Sequence, residues 1–259
     1  MLPEFAEVAP QPLYDSPQEL MTAHIAPEDL AARNVFSFRN SDSRARPFKL
    51  LRTQVVKRCV EQGLRIIGIT SAAPHVGKTF VAANLGASLS RIADIDVCLI
   101  DLDLHRPAQA ERFNLPDEGG VHDLLSGDVD DVRQVARRIN DERLVVIPGF
   151  RRNVATGELL TSAAGDALFA SLRALPPSTM VLVDMPPIFA DDDAVIIGQR
   201  IDGYLLVVED GRTTRRQVRD TLRILSPTPC IGTVLNRYKS QLFSDEYGYG
   251  LSYGYGAYY

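Results

Sequence analysis

The residue types best suited to chemistry here are a lysine, a hydroxyl and three aspartates, all lying at the ends of apolar runs. After LRIIGIT the sequence continues SAAPHVGKTF. Gly77, Lys78 and Thr79 thereby close the phosphate-cradle pattern G-x-x-x-x-G-K-[ST], with Ala72 in place of the first glycine. A glycine lets the backbone approach an anion closely, and successive N–H groups at a helix start point toward it. The cradle is assigned to Pro74, His75, Val76, Gly77, Lys78, Thr79 and Phe80. Lys78 is suited to reach the β- and γ-phosphates of a nucleotide, and the Thr79 hydroxyl to bind Mg²⁺. Asp101 ends the run DVCLID, with Asp103 and Arg106 shortly after it, and Asp184 ends the run TMVLVD. One acid at a strand end is ordinary turn chemistry. Asp101, Asp103 and Asp184 converging on a phosphate cradle imply a magnesium site with a spare carboxylate.

That convergence requires elements that bring strand ends to one edge. The expected strands are Leu64–Thr70, Asp96–Asp101, Arg143–Pro148, Thr179–Asp184, Gly203–Val208 and Cys230–Asn236, most of them rich in Val, Ile and Leu. Such runs suit strands buried on both faces. Helical patterns fall between them, as in 78–90, where Val81, Leu85 and Leu89 share a face. Alternating βα units predict an α/β fold, a doubly wound, mainly parallel sheet with helices on both faces. In such a sheet the carboxyl ends of all parallel strands line the ligand-binding edge. Pro186 and Pro187 prevent an immediate helix after Asp184 and hold that loop open. The acids Asp191, Asp192 and Asp193 read as a solvated helix start, with Asp193 the one functional candidate among them.

Three segments are expected. Residues 1–46 carry Pro3, Pro10, Pro12, Pro17 and Pro27 without periodicity and read as a flexible arm with at most a short helix. Pro47 opens a helix with Phe48, Leu51, Val55 and Cys59 on one face, beginning a nucleotide-binding domain over 47–240. Residues 241–259 form a separate Tyr/Gly-rich tail. The 259 residues are 45% hydrophobic and 24% charged, enough for a sizeable core, and the net charge of −5 argues against broad nucleic-acid binding. Cys59, Cys98 and Cys230 form no C-x-x-C pair and suit buried thiols in a reducing compartment. No run approaches the ~18 apolar residues that span a bilayer, so a cytoplasmic location is expected, with any membrane association through a partner.

Taken together, these motifs resemble the bacterial tyrosine kinases (BY-kinases) of capsule and exopolysaccharide systems, over roughly residues 46–259. ITSAAPHVGKTFVAANL is similar to that family's Walker A segment, LIDLDLHRP to its Walker A′ and VLVDMPPI to its Walker B; GGVHDLLSG and TVLN also resemble family segments. The first and last of these three Walker segments are shared with switch ATPases of the MinD/ParA type, whereas the A′ segment and the tail favour the kinases. The resemblance implies a P-loop NTPase fold and ATP-dependent protein-tyrosine autokinase activity that regulates exopolysaccharide synthesis or export. It implies Mg²⁺ held by Thr79, Asp101 and Asp184, Lys78 on the phosphates, Asp103 orienting or deprotonating the incoming tyrosine, and Asn236 near the adenine. The partners implied are the cytoplasmic segment of a membrane polysaccharide co-polymerase that switches the kinase on, further copies of the chain, and a tyrosine phosphatase. The location implied is peripheral to the inner membrane.

Two departures from the family pattern stand out. His75 occupies a position where the family has glycine, which stiffens the loop. The assembly motif E-x-x-R-x-x-R reads Arg46-x-x-Lys49-x-x-Arg52, replacing an attraction with a repulsion if the acid pairs with a neighbour's arginine. The phosphoacceptors implied are Tyr247, Tyr249, Tyr253, Tyr255, Tyr258 and Tyr259, six of the nine tyrosines, all in the last 13 residues. Interleaved glycines keep that segment extensible. The 23 residues beyond Asn236 reach at most ~75–83 Å, which allows both the chain's own site and a neighbour's. Three readings remain open on sequence: an autokinase, a MinD/ParA-type ATPase switch whose tail is merely adhesive, and a non-catalytic ATP-sensing partner.

Overall fold

The computed structural model describes residues 10–153 and 155–238. Among them one sheet contains β1 (Thr22–Ala23), β2 (Ile66–Ser71), β3 (Asp96–Asp101), β4 (Arg137–Ile139), β5 (Leu144–Ile147), β6 (Thr179–Asp184), β7 (Gly203–Glu209) and β8 (Cys230–Asn236). Their spatial order is β1-β4-β5-β3-β6-β2-β7-β8. Every pairing is parallel except β4 with β5. The central strands β2, β3 and β6 have almost no residue outside the buried interior, which is why their sequences are apolar without alternation.

Successive residues of one strand serve opposite cores. Ile67, Ile69, Val97 and Leu99 pack with α2 (Arg46–Gln62) and α3 (Lys78–Leu89), through Val55, Val81 and Leu85. Ile66, Cys98, Ile100 and Val183 pack on the other face with α5 (Val121–Ser126), α6 (Thr156–Thr161), α7 (Ala163–Ala174) and α8 (Asp193–Gly198), through Leu125, Leu160, Leu172 and Ile197. The helix α2 starts with Pro47 in its first turn and stops at Gly63, whose φ of 66° ends the spiral while its N–H closes on the Cys59 carbonyl. The register that matters most joins β3 to β6: Asp101 lies directly opposite Asp184. None of the described helices is long and apolar enough to cross a membrane.

The expected flexible arm is corrected for its described part. Residues 10–45 are packed onto the body: Tyr14, Leu20, Ile25, Leu30, Val35 and Phe36 are all buried. β1 adds to the sheet beside β4, and the Asn140 side chain holds Ile25 by accepting from its N–H (2.8 Å) and donating to its carbonyl (3.2 Å). Two of the prolines that suggested disorder are helix-start punctuation. Pro17 opens a 3-10 turn and Pro27 opens α1 (Pro27–Ala32). Each apolar anchor borrows its partners from the body, so no local periodicity records the packing.

Asn84 of α3 is the main polar clamp on this strap. Its side-chain oxygen accepts from the Phe36 N–H (3.1 Å) and the Ser37 hydroxyl (3.0 Å), and its amide donates to the Asn34 carbonyl (2.7 Å). Asn84→Ala would strand the buried Phe36 N–H, so a loss of about 2 kcal/mol or more is expected in urea unfolding. A loss below about 0.5 kcal/mol, within the range of neutral surface changes, would mean that the strap does not fold with the body.

Candidate functional site

The cradle is built at the switch from β2 to α3. Gly77 caps α3 with φ 100°, and a Cβ there would collide with the Asn236 side chain. That side chain donates to the Val76 carbonyl at 2.7 Å. Asn236 therefore braces the loop from β8, and only glycine fits beneath it. His75 also has positive φ, 62°, a conformation that explains why glycine suits this position and that costs an L-residue about 1–2 kcal/mol. Its exposed ring meets Arg106 Nη1 at 3.1 Å. Ala72 is buried and needs no positive φ, so the missing first glycine is harmless.

The loop after Asp184 is not held open as expected but strapped against β2. The Ile188 N–H donates to the Ser71 carbonyl at 2.8 Å, and the Thr70 hydroxyl to the Pro186 carbonyl at 2.8 Å. Pro186 and Pro187 are buried in that contact. Lacking N–H groups, they can be covered without leaving donors unpaired.

Lys78, Asp101, Asp103 and Asp184 come together, all nearly inaccessible. Lys78 Nζ lies 3.6 Å from the Asp103 carboxylate. Asp101 shapes the loop after β3: Oδ1 accepts from the Asp103 N–H (3.2 Å), and Oδ2 from the N–H groups of Ala108 and Gln109 (both 2.9 Å). Gln109, which sequence reasoning missed, opens the short helix α4 (Gln109–Arg112) and joins the motifs. Its amide donates to Asp184 Oδ2 at 2.9 Å and to the Thr79 carbonyl at 3.3 Å. Only the proximity of Gln109 to the A′ acids hinted at this role; nothing in its own sequence context did.

Burial pushes the Asp101 carboxyl far above the ordinary carboxylate range, and the neighbouring Asp184 charge adds to it; hydrogen bonds from Gln109 and Ala108 act in the opposite direction. Burial likewise raises Asp184, while Lys78 and the Thr79 side chain favour its ionised form. Asp184 Oδ1 is buried without a hydrogen-bond partner. Two dry carboxylates and an orphaned oxygen beside a threonine hydroxyl fit a small hard cation. Among the described residues no group of three or more His, Cys, Asp or Glu side chains is arranged as a self-sufficient metal cage. A cation here would rest on Thr79 and Asp184 plus substrate oxygens, with Asp101, whose oxygens already serve the loop, contributing mainly charge.

Asp193 was expected at a solvated helix start, and that is corrected. Asp191 and Asp192 are exposed, but Asp193 is 1% exposed under the loop that carries His105, whose Nε2 is 3.4 Å from both Asp191 and Asp193. The cause is the turn of chain before α8, which rotates its first residue inward beside Thr156. The tyrosines Tyr247, Tyr249, Tyr253, Tyr255, Tyr258 and Tyr259 lie outside the described residues.

Residues 67–247 match the CbiA family, the CobQ/CobB/MinD/ParA nucleotide binding domain. The chain is 30% identical over 220 residues to the tyrosine-protein kinase YwqD of Bacillus subtilis, covering 84% of this chain and 91% of that one. It is also 30% identical over 243 residues to the putative tyrosine-protein kinase EpsB of Ralstonia nicotianae, covering 90% of this chain but spanning only 30% of that relative's length. Among solved structures, the kinase domain of Escherichia coli tyrosine kinase ETK superposes with a TM-score of 0.72 at 28% identity, over 85% of each chain.

The charge state of Asp184 makes a test of the site. A carboxyl whose folded pKa lies above its unfolded value stabilises the fold most at low pH, and that contribution is lost as pH rises through the raised value. Asp184→Asn, measured without nucleotide or Mg²⁺, should match the parent near pH 4 and exceed it by on the order of 2 kcal/mol near pH 7. Mg-nucleotide should then stabilise the parent and not the variant. Equal destabilisation of the variant across that pH range would refute this account.

Proposed function

The chain belongs to the bacterial tyrosine kinase family of P-loop proteins, and from that premise we propose that it transfers the γ-phosphoryl group of Mg-ATP to tyrosines of its own C-terminal segment. The observation that carries this reading is Asp103: a third carboxylate that the cation does not need, held 3.6 Å from the cradle lysine. A switch that only hydrolyses ATP has less use for a base at that position.

Lys78 Nζ faces the Asp103 carboxylate at 3.6 Å. A triphosphate in the cradle offers Lys78 a stronger anion than a single carboxylate, so binding draws the ammonium away and releases Asp103 as an acceptor. Substrate binding and exposure of the base are thereby one event. The phenol oxygen then forms its bond to the γ-phosphorus as the bond from that phosphorus to the β,γ-bridging oxygen breaks. The phenolic proton passes to Asp103, and ADP leaves with the electron pair. A phenol of pKa about 10 needs little deprotonation for this, because the transition state is loose. Mg²⁺ would supply charge neutralisation on the phosphates when held at Thr79 and Asp184. The N–H groups from Val76 to Phe80 orient the phosphates, Asn236 fixes the loop that presents them, and Gln109 keeps Asp184 aimed at the same point.

The acceptors assigned are Tyr247, Tyr249, Tyr253, Tyr255, Tyr258 and Tyr259. Regulation by the cytoplasmic segment of a membrane polysaccharide co-polymerase, reversal by a tyrosine phosphatase, and a role in exopolysaccharide production belong to the same reading through the family resemblance.

Incubation with Mg-ATP followed by mass spectrometry of the C-terminal peptide tests it, with and without such a cytoplasmic segment. Phosphotyrosine is expected in the parent and absent in Lys78→Met. Asp103→Asn should keep nucleotide affinity and lose about 10²-fold in rate. ATP hydrolysis with no phosphotyrosine under either condition would sink the kinase reading in favour of an ATPase switch.

A further inference from the structure

The protein is acidic overall, with a net charge of −5, yet residues 212–223 read RTTRRQVRDTLR, five arginines against one aspartate. Most of this stretch is α9 (Arg215–Ile224), held by a reciprocal cap between Thr214 and Gln217. Its charges are not all spent. Arg212 pairs with Glu209 at 3.3 Å, and Arg216 and Arg223 share Asp220 at 3.6 and 3.8 Å. Arg215 and Arg219, one helical turn apart and both exposed, make no ion pair among the described residues.

These two arginines border a groove of ≈ 510 Å³ between α9 and β8, with Val208, Val218, Leu222 and Leu235 along it. Leu222 and Leu235 are 41% and 54% exposed, a wet apolar lining that offers a partner something to cover. Glu209 and Asp210 also line the groove, but Glu209 is already paired with Arg212 and Arg237. The groove opens on the sheet face packed by Val208 and Val218, whereas the cradle helix α3 covers the opposite face. It is therefore separate from the nucleotide cradle.

An aliphatic wall beside two free guanidiniums suits a flat ring that ends in a doubly charged group. We propose that this groove is a phosphotyrosine-binding site, and that its occupant is the chain's own C-terminal segment, residues 239–259, in phosphorylated form. The attachment point favours that occupant: β8 forms one wall of the groove and ends at Asn236, so the segment departs from beside it. Tyr247 lies nine residues past Tyr238, a reach of up to ~30 Å, so the first acceptor can fold back into the groove. Charge favours it too, since each phosphate adds about −1.5 to −2. The site would hold the product tail away from the aspartate-rich cradle.

The proposal rests on the autokinase reading for its biological setting, so its test supplies the phosphates synthetically and omits ATP. Phosphatase-treated full-length protein is titrated into a labelled peptide of residues 245–259, either unmodified or phosphorylated at Tyr253, Tyr255, Tyr258 and Tyr259. Binding of the phosphorylated peptide should be at least about tenfold tighter than that of the unmodified one. It should fall by about tenfold or more in the Arg215→Gln/Arg219→Gln double variant, and also in Leu222→Glu, while the melting temperature and Mg-nucleotide binding stay unchanged. Equal affinity for both peptides, no binding, or indifference to both variants would overturn it. Retention on phosphatidylcholine vesicles containing about one quarter phosphatidylserine, lost in the arginine variant while the phosphopeptide fails to bind, would assign the surface to a membrane instead. Loss of autophosphorylation alone leaves the peptide result standing, so the two readings fail separately.

Discussion

Two carboxylates facing each other across adjacent strands, both without solvent, set the terms for this molecule. Asp101 and Asp184 are register partners at the ends of β3 and β6, and each is 0% exposed. Strands are about 5 Å apart, where two unit charges repel by about 3 kcal/mol even at an effective dielectric constant near 20. Burial adds to the cost of each charge. The fold tolerates the pair because it brings compensation from three directions: N–H groups from the loop after β3, the amide of Gln109, and the ammonium of Lys78 on α3. The compensation is incomplete, since Asp184 Oδ1 has no partner. In the proposed kinase, a cation arriving with ATP would satisfy that deficit.

Because the compensating groups come from different elements, the loops cannot move independently. Gln109 ties the segment after β3 to both Asp184 and the Thr79 backbone. The segment after β6 is tied to the end of β2 through Pro186 and Ile188. Phe80, next in sequence to Thr79, stands edge-on to Phe48 of α2 and Phe36 of the N-terminal strap, with ring centroids 5.5 and 5.9 Å away. Packed rings thus connect the cradle to α2, which carries Arg46, Lys49 and Arg52. The reversed charge at Arg46 sits at the outer end of a rigid connection, not on a loose appendage.

What the sequence disclosed follows the same physics. Strands β3, β6 and β8 were legible to the residue, because long Val/Ile/Leu runs bounded by acids or turns admit few alternatives. Lys78, Thr79 and the three aspartates were legible because backbone geometry alone carries strand ends and a helix start to one edge. The strap of residues 10–45 was not, since two- and three-residue strands such as β1 and β4 leave no period to detect. Gln109 was hidden for a different reason: its value lies in reaching two acids distant in sequence. Asp193 misled because acids at helix starts are usually solvated, and only the turn before α8 determines which of three consecutive aspartates faces inward.

The distribution of charge gives the fold a direction. The cradle edge concentrates three aspartates around one lysine, a charge pattern that in the proposed kinase would take up Mg²⁺ and, with Lys78, a triphosphate. In the proposed kinase a neutral tyrosine would approach that edge without penalty, whereas the same residue carrying a phosphate of about −1.5 to −2 would meet Asp103 freed from its lysine. Repulsion then acts on the product and not on the substrate. On the opposite face of the sheet, α9 presents Arg215 and Arg219, which make no ion pair among the described residues, beside β8. Acceptance at one face and retention at the other, as proposed, would need no hinge or lid. They would follow from placing a buried acidic cluster and an exposed basic helix on opposite sides of one sheet.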